Sequence, residues 1–161
     1  MTPTLVQILQ FLDEALEHGY GSEQAKTTER NGFKSITYQK GEWLYNDSYT
    51  GFFRSYGSET IFFKGQPVWV SQYGGGMTEE FQEEAFAKRT FQFLKEAFRQ
   101  AHDGNFQFRG PPRYVRDDWE YHMQWRGSAA SFTGSEHIRY KGSVVFTHEF
   151  FGGLVQDKKR E

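Results

Sequence analysis

The strand-rich part of this chain is written twice, and this repeat constrains the fold more than any other feature. The first copy covers residues 43–76, the second covers residues 119–153, and one inserted residue near Thr133 brings them into register. Because repeated sequence implies repeated structural units, the chain is expected to be a pseudo-two-fold object with one groove or pocket between its halves. Both copies contain the same tryptophan, tyrosine, glutamate and glycine pair: Trp43 and Trp119, Tyr45 and Tyr121, Glu59 and Glu136, Gly75-Gly76 and Gly152-Gly153.

Length and composition narrow the class of protein. A chain of 161 residues suits a single domain, so residues 1–161 are interpreted as one domain containing both copies. The net charge of -2 gives no general reason to expect nucleic acid binding. The sequence has no cysteine, which excludes disulfides and thiolate chemistry. No apolar run approaches the ~18 residues of a membrane span, and no signal peptide is recognised, so we expect a soluble cytoplasmic protein that does not bind a membrane.

Hydrophobic periodicity predicts two helices. A helix is expected over residues 3–18, with Thr2 as N-cap and Gly19 as the stop, followed by a polar loop over residues 21–31. A second helix is expected over residues 79–102, capped by Thr78.

Alternating residues predict antiparallel strands. A strand is expected over residues 33–39, and each copy is expected to form a three-stranded meander with a tight turn at Lys64-Gly65 or Lys141-Gly142. The resulting fold class is α+β, built from two pseudo-symmetric helix-plus-antiparallel-meander halves. The meander strands are predicted over residues 43–50, 57–63 and 68–73 in the first copy, and over residues 119–126, 134–140 and 144–150 in the second.

Several motifs resemble those of the DUF5680 domain, an uncharacterised bacterial family. The resemblance extends from about Gly32 to the end of the chain. It implies a sensor or regulatory role, because such domains are often attached to helix-turn-helix DNA-binding domains, but it implies no catalytic residues. DNA binding is not implied, since a single helix precedes the domain. The motifs are Asp47-Ser48-Tyr49 with Gly51, Gly57, Glu59, Pro67-Val68-Trp69 with Tyr73 and Gly74, Arg109-Gly110-Pro111, Tyr114, Tyr121, Phe132, Gly134, Glu136 and Gly152-Gly153.

Asp47 is the first candidate functional residue. Alternation places it on one face of its strand together with Trp43, Tyr45 and Tyr49, whereas the second copy carries Met123 at the same position. A carboxylate among rings pays a desolvation penalty unless it has a partner. Asp47 is therefore either a ligand contact or general base, or the acceptor of hydrogen bonds from turn amides or a tyrosine hydroxyl. Tyr49, Trp69 and Tyr73 are the rings expected to line a ligand pocket with it.

The remaining candidates are two glutamates, a histidine and a loop. Glu59 and Glu136 have two possible roles. Each could have a structural role in its own half, such as a hydrogen bond to the backbone of a neighbouring loop, or the two carboxylates could meet across the groove as a cation site or an acid/base pair. His148 alternates with phenylalanines and is the histidine best placed for chemistry, although a structural role is the ordinary alternative. Arg113 and Tyr114, with Arg109, either clamp an anion or form a solvated loop.

Three functions remain open from the sequence. The first is a non-enzymatic small-ligand-binding or regulatory module with an aromatic-lined groove between its halves. The alternatives are a small hydrolase or isomerase that uses carboxylates, and a protein-protein interaction module. The expected partners are a small-molecule ligand, a protein or a second copy of the chain, and no cofactor or metal ion is expected because the histidines lack ligand spacing.

Overall fold

The described part of the chain forms one antiparallel sheet and two α-helices. A computed structural model describes residues 1–18, 27–100 and 109–158. The helices are α1 (Leu5–His18) and α2 (Glu84–Arg99), and a short 3₁₀ helix, Glu79–Phe81, precedes α2. The strands described are β1 (Thr27–Arg30), β2 (Phe33–Lys40), β3 (Trp43–Gly51), β4 (Arg54–Phe63), β5 (Gln66–Met77), β6 (Arg113–Arg116), β7 (Trp119–Ser128), β8 (Ser131–Tyr140) and β9 (Ser143–Leu154).

The nine described strands lie in the order β1-β2-β3-β4-β5-β9-β8-β7-β6, and every neighbouring pair is antiparallel. Two runs of consecutive hairpins therefore meet where β5 pairs with β9. At that junction Tyr73 lies opposite Phe150, and Gly75 lies opposite His148. The predicted α+β class and antiparallel sheet are confirmed.

The two predicted Lys-Gly hairpin turns are confirmed. Lys64 and Gly65 have φ angles of 51° and 75°, and Lys141 and Gly142 have φ angles of 47° and 83°. Positive φ at both central residues is the mark of a type I′ turn, whose twist matches that of the flanking strands.

The predicted start of the first helix was wrong. The Thr4 hydroxyl accepts from the Gln7 backbone N–H at 3.3 Å, and the Gln7 side chain accepts from the Thr4 backbone N–H at 2.9 Å. This reciprocal pair is a capping box, so Thr4 rather than Thr2 caps α1. The predicted stop at Gly19 lies outside the described residues.

The second helix also begins later than predicted. Thr78 makes no side-chain capping bond, whereas the Glu83 carboxylate accepts from the backbone N–H groups of Ala85 and Phe86, each at 3.0 Å. A carboxylate at this end also interacts favourably with the helix dipole. The predicted end at His102 lies outside the described residues.

Two strands were not predicted. β1 occupies residues 27–30 of the expected polar loop, and β6 pairs with β7 after the Pro-Pro break. Both are four residues long and polar, so neither has the apolar alternation that identifies a strand from sequence. The rest of the predicted loop, apart from residues 27–31, lies outside the described residues.

The paired glycines, Gly75-Gly76 and Gly152-Gly153, lie inside β5 and β9, where they allow neighbouring strands to approach closely. A Cβ atom on Gly75 would lie 2.2 Å from the Thr147 carbonyl oxygen, and one on Gly152 would lie 2.0 Å from the Val70 carbonyl oxygen. Only glycine permits this approach of the two central strands.

Both helices pack on the same face of the sheet. Phe11 of α1 stacks on Trp43, and Phe93 of α2 packs on Trp119. The buried core between these layers is rich in rings, including Tyr45, Trp69 and others that alternate inward along their strands. Among the described residues, no helix is both long and apolar enough to cross a membrane.

Candidate functional site

A cavity of about 370 Å³ lies between α2 and the sheet face that the helices cover, and we call it the inner cavity. This volume lies within the range of small-molecule sites. Its lining is mainly polar on the sheet side and mainly apolar on the helix side, and two exposed lysines, Lys34 of β2 and Lys95 of α2, also line it. The polar side chains include Asp47, Tyr49, Glu59, Tyr73, Arg109 and His148, and the helix contributes Phe91, Leu94 and Phe98.

Two carboxyl groups of the first copy lie side by side on the sheet wall of this cavity. Asp47 on β3 is the cross-strand partner of Glu59 on β4, and their side chains are 1% and 3% exposed. Each accepts a hydrogen bond from a tyrosine: Tyr73 Oη donates to Asp47 Oδ1 at 2.7 Å, and Tyr45 Oη donates to Glu59 Oε1 at 2.9 Å. The two-residue period of the strands directs both carboxyls toward α2.

Burial raises the pKa of both carboxyl groups. The pKa of Asp47 rises to about 6, although the Tyr73 hydrogen bond and the Arg109 charge oppose the rise. Burial and, after it, the neighbouring Asp47 carboxylate raise the pKa of Glu59 to about 7. The two groups titrate as a coupled pair. At neutral pH, the pair therefore retains part of a proton.

A second polar cluster surrounds the glutamate of the second copy. Arg109 Nε donates to Glu136 Oε1 at 3.1 Å, and Arg109 Nη2 donates to the same oxygen. Tyr121 Oη donates to Glu136 Oε2 at 2.5 Å and accepts from the Gly110 backbone N–H at 3.0 Å. His148 Nδ1 lies 3.2 Å from Glu136 Oε1 and 3.2 Å from Arg109 Nη2.

The charges of this cluster cancel. Burial acts to raise the pKa of Glu136, but the Arg109 charge and the hydrogen bonds from His148 and Arg109 lower it to about 2. Burial lowers the pKa of His148, so the ring is neutral at pH 7. The Arg109 guanidinium is also placed over the ring of Phe98, 4.7 Å from its centroid. Arg109 is thus fixed by a carboxylate and by aromatic rings.

Three buried polar atoms have no hydrogen-bond partner among the described residues: Glu59 Oε2, Ser71 Oγ and His148 Nε2. Ser71 on β5 is the cross-strand partner of Glu59, so two of the three belong to neighbouring positions on the sheet. Buried polar atoms in proteins are nearly always paired with protein or water. These atoms therefore mark positions where water or a ligand completes the hydrogen bonding.

The structure brings six of the nine candidate residues together. Five of them line the inner cavity, and Glu136 lies directly behind Arg109 and His148. The Glu136 charge raises the pKa of Glu59, and both glutamates raise the pKa of Arg109, but the two are not hydrogen-bonded to each other among the contacts of the described residues. The five lining residues are Asp47, Tyr49, Glu59, Tyr73 and His148.

The other three candidates lie elsewhere. Trp69 is fully buried in the core, where its Nε1 donates to the Ala129 carbonyl oxygen at 2.9 Å. Arg113 pairs with Glu120 on the exposed side of β6, at 2.9 Å. Tyr114 contacts α2, where its ring stacks on Phe93 and its hydroxyl donates to Glu96 at 3.2 Å.

Arg109, Arg113 and Tyr114, expected either to clamp an anion or to form a solvated loop, each have a different acidic partner: Glu136, Glu120 and Glu96, respectively. Sequence reasoning also missed Ser71, the buried hydroxyl beside Glu59 on the sheet. The signal was available, because Ser71 occupies in the first copy the position that His148 occupies in the second.

A metal site does not form in the part of the chain described here, because no three His, Cys, Asp or Glu side chains are grouped to hold an ion.

Residues 47–155 match the model of a family described as a domain of unknown function, DUF5680. The match covers more than half of the chain, so this protein belongs to that family, as its motifs indicated. No curated protein and no solved structure matches the chain. The description of the family names no activity, so a function has to be argued from the inner cavity.

Proposed function

We propose that this protein is a non-enzymatic module that binds a small ligand in the inner cavity. One observation carries the proposal: Asp47 and Glu59 are buried side by side, and neither has a hydrogen-bonded cation among the described residues. Burial of a carboxylate without such a partner costs folding free energy. A ligand that supplies hydrogen-bond donors removes that cost, and ligand binding would therefore explain why Asp47 and Glu59 are buried here.

The charges of the buried groups in the cavity favour a cationic or donor-rich ligand. Arg109 is neutralised by Glu136, and His148 is uncharged at pH 7 because burial lowers its pKa. The buried ionisable groups that remain in the lining are the carboxyls of Asp47 and Glu59. Lys34 of β2 and Lys95 of α2 also line the cavity, but both side chains are exposed to solvent. A protonated amine placed beside them pairs with these carboxyls and supplies donors to Glu59 Oε2.

The opposite wall sets the shape of the rest of the ligand. Phe91 and Phe98 of α2 line the cavity on the side opposite the sheet, and Phe146 of β9 adds a ring from the sheet itself. An apolar or aromatic body fits against these rings, where the hydrophobic effect adds affinity. The proposed ligand class is thus a small amine with an apolar body.

The sheet topology supports the proposal that the inner cavity lies between two related halves. We infer that the two sequence copies are halves related by a pseudo-two-fold axis near the β5–β9 junction. In support, each run of hairpins leads outward from that junction, and each half contains a tyrosine-to-glutamate hydrogen bond, Tyr45 to Glu59 and Tyr121 to Glu136. The cytoplasm is the location we propose.

A thermal-shift screen tests the binding proposal. The purified protein is heated with small primary amines, other metabolites, nucleotides and divalent metals, because a ligand that binds only the folded state raises its apparent melting temperature. We expect a saturable rise with an amine, and we expect Asp47→Asn to reduce ligand affinity more than it reduces thermal stability.

Glu120→Gln is the matched control for that variant. It removes a carboxylate from an exposed position on β7 and leaves the cavity unchanged. A ligand whose affinity is the same in Asp47→Asn and in the wild type contradicts the proposal, and so does the absence of a shift with every compound.

A second candidate function is a small hydrolase or isomerase. One observation favours it: neutral His148 lines the cavity, its Nδ1 contacts Glu136, and its Nε2 has no partner among the described residues. A histidine that a carboxylate orients in a cleft is the arrangement of a general base. Mass spectrometry of the bound amine after prolonged incubation separates the two functions, since a binding module returns its ligand unchanged.

A further inference from the structure

A second and larger concavity of about 960 Å³ lies on the sheet, and we call it the outer groove. It is lined by residues of β2, β3, β4, β5, β7, β8 and β9, so strands of both sequence copies contribute. Most of these residues, such as Ser48, alternate with the side chains that face α2. The groove is therefore built mainly on the face that the helices leave open.

Exposed aromatic rings are concentrated in this groove. Five aromatic side chains are exposed among the described residues, and Phe52 is the one of them that does not line the outer groove. The other four have exposed fractions of 38% to 61%: Phe33, Tyr56, Trp125 and Phe151. Clustered exposed apolar surface of this kind marks a binding site.

The Tyr56 ring packs on the sheet and leaves part of its surface open to the groove. A Cβ atom on Gly74, the residue opposite Tyr56 on β5, would lie 2.4 Å from Cδ1 of the tyrosine ring. The ring therefore covers the Gly74 backbone, and glycine is the residue that leaves room for it. The side chain is nevertheless 56% exposed, so it presents surface to the groove while the sheet supports it from below.

Hydroxyl and amide groups lie among the rings. One row of cross-strand partners runs from Ser58 through Gln72, Phe151 and Thr133 to Arg126. The adjacent row contains Tyr56, Gly74, Glu149, Ser135 and Gln124. The lining has one cation, Arg126, and one anion, Glu149, so its formal charge is zero.

We propose that the outer groove binds a neutral oligosaccharide. A sugar ring presents C–H bonds with partial positive charge on its faces, and aromatic faces carry partial negative charge, so the two stack. Its rim of hydroxyl groups matches serine, threonine and glutamine side chains, which both donate and accept. A single-stranded nucleic acid also stacks on rings, but its phosphates need a positively charged groove, and this lining has no net charge.

The size of the groove indicates more than one sugar ring. Its volume lies at the upper end of the range for pockets that bind single small molecules, which is about 300–1,000 Å³. The aromatic residues come from β2, β4, β7 and β9 rather than from one point. A short linear chain of sugars can contact several of these rings at once.

The test is binding of linear oligosaccharides of glucose, mannose, galactose and N-acetylglucosamine, measured by calorimetric titration at low and high salt. We expect at least one of these sugars to bind with an affinity that salt leaves unchanged, since no ion pairing is involved. Tyr56→Ala is expected to weaken that binding about tenfold, because it removes the stacked ring. Tyr56→Phe keeps the ring and is expected to keep the affinity.

Val115→Ala is the matched control, since Val115 is 47% exposed on β6 and lies outside the groove. The proposal is overturned if none of the sugars binds, or if Tyr56→Ala binds as tightly as the wild type. It is also overturned if light scattering shows a dimer that Tyr56→Ala converts to monomers, because a second copy of the chain then occupies the groove. The amine-induced thermal shift is independent of Tyr56, so the two proposals fail separately.

Discussion

Two glutamates at the same position of the two sequence copies have opposite electrostatic surroundings. Each accepts a hydrogen bond from a tyrosine, Glu59 from Tyr45 at 2.9 Å and Glu136 from Tyr121 at 2.5 Å. Glu136 also contacts Arg109, and its pKa falls to about 2. For Glu59, burial and the adjacent Asp47 carboxylate raise the pKa to about 7.

The difference comes from the neighbours and not from the glutamates themselves. The second copy carries Met123 and His148 where the first carries Asp47 and Ser71, and Arg109 comes from outside both copies. All oxygens of Glu136 are thereby used within the protein, whereas Glu59 Oε2 has no partner among the described residues. The two sites therefore differ in one respect: the carboxylate of Glu136 is fully bonded within the protein, whereas Glu59 keeps one carboxyl oxygen without a partner among the described residues.

The largest expected effect separates the two glutamates by stability. Glu136→Gln leaves the buried Arg109 charge without its carboxylate, and breaking a buried pair in this way costs about 3–5 kcal/mol. Glu59→Gln removes a carboxyl whose ionised form is unfavourable, so at pH 8 it is expected to leave the free energy of unfolding unchanged or increased. Urea denaturation of both variants beside the wild type measures the difference.

This pair of variants is its own control, because the chemical change is the same at both sites. Equal losses of stability in Glu136→Gln and Glu59→Gln would show that both glutamates are structural. The contrast drawn between the two sites would then be wrong, and the binding proposal would lose its main support.

The next effect is a difference in pH dependence. Between the ordinary pKa of 4.5 and the folded value of about 7, folded Glu59 keeps a proton that the unfolded chain releases. The free energy of unfolding therefore falls as pH rises through this window, by about 3 kcal/mol. Glu136 acts in the opposite direction, because its folded pKa is lowered, and its stabilisation is lost as pH falls from 4.5 toward about 2.

Urea denaturation across this pH range checks the sign. The wild type is expected to lose stability relative to Glu59→Gln as pH rises from 4.5 to 8, and taking this difference cancels the titration of His148 and other groups. Asp47→Asn is expected to lower the pKa of folded Glu59 and so to narrow the pH range over which stability is lost, because the Asp47 carboxylate contributes to that raised pKa. Parallel stability curves for the wild type and Glu59→Gln would show that Glu59 has an ordinary pKa.

Features that depend on nearby residues could be predicted from the sequence, and most were. The Lys-Gly turns and the inward alternation of Tyr45 and Asp47 follow from local backbone geometry. The cap of α1 is also local. The sequence contains two competing helix-start signals, Thr2-Pro3 and the capping-box pattern of Thr4 with Gln7, and the structure uses the second.

Features that depend on distant residues could not be predicted. Trp69 has the strand phase of a cavity residue, but contacts with Ala129 and Phe132 in the other copy bury it in the core. Arg109 meets Glu136 only because the chain before β6 returns to the middle of the sheet. No periodicity or spacing in one sequence specifies such a pairing.

The smallest expected effect distinguishes the two tyrosine hydroxyls. Tyr121→Phe removes a donor to the ionised Glu136 and an acceptor of the Gly110 N–H, so it should cost about 1.5–3 kcal/mol. Tyr45→Phe removes one bond to Glu59, which is partly protonated at neutral pH, so a smaller cost of about 1 kcal/mol is expected. Urea denaturation at pH 7 provides both values. A larger loss for Tyr45→Phe than for Tyr121→Phe would mean that Glu59 is held at least as firmly as Glu136, and the contrast between the two glutamates would be wrong.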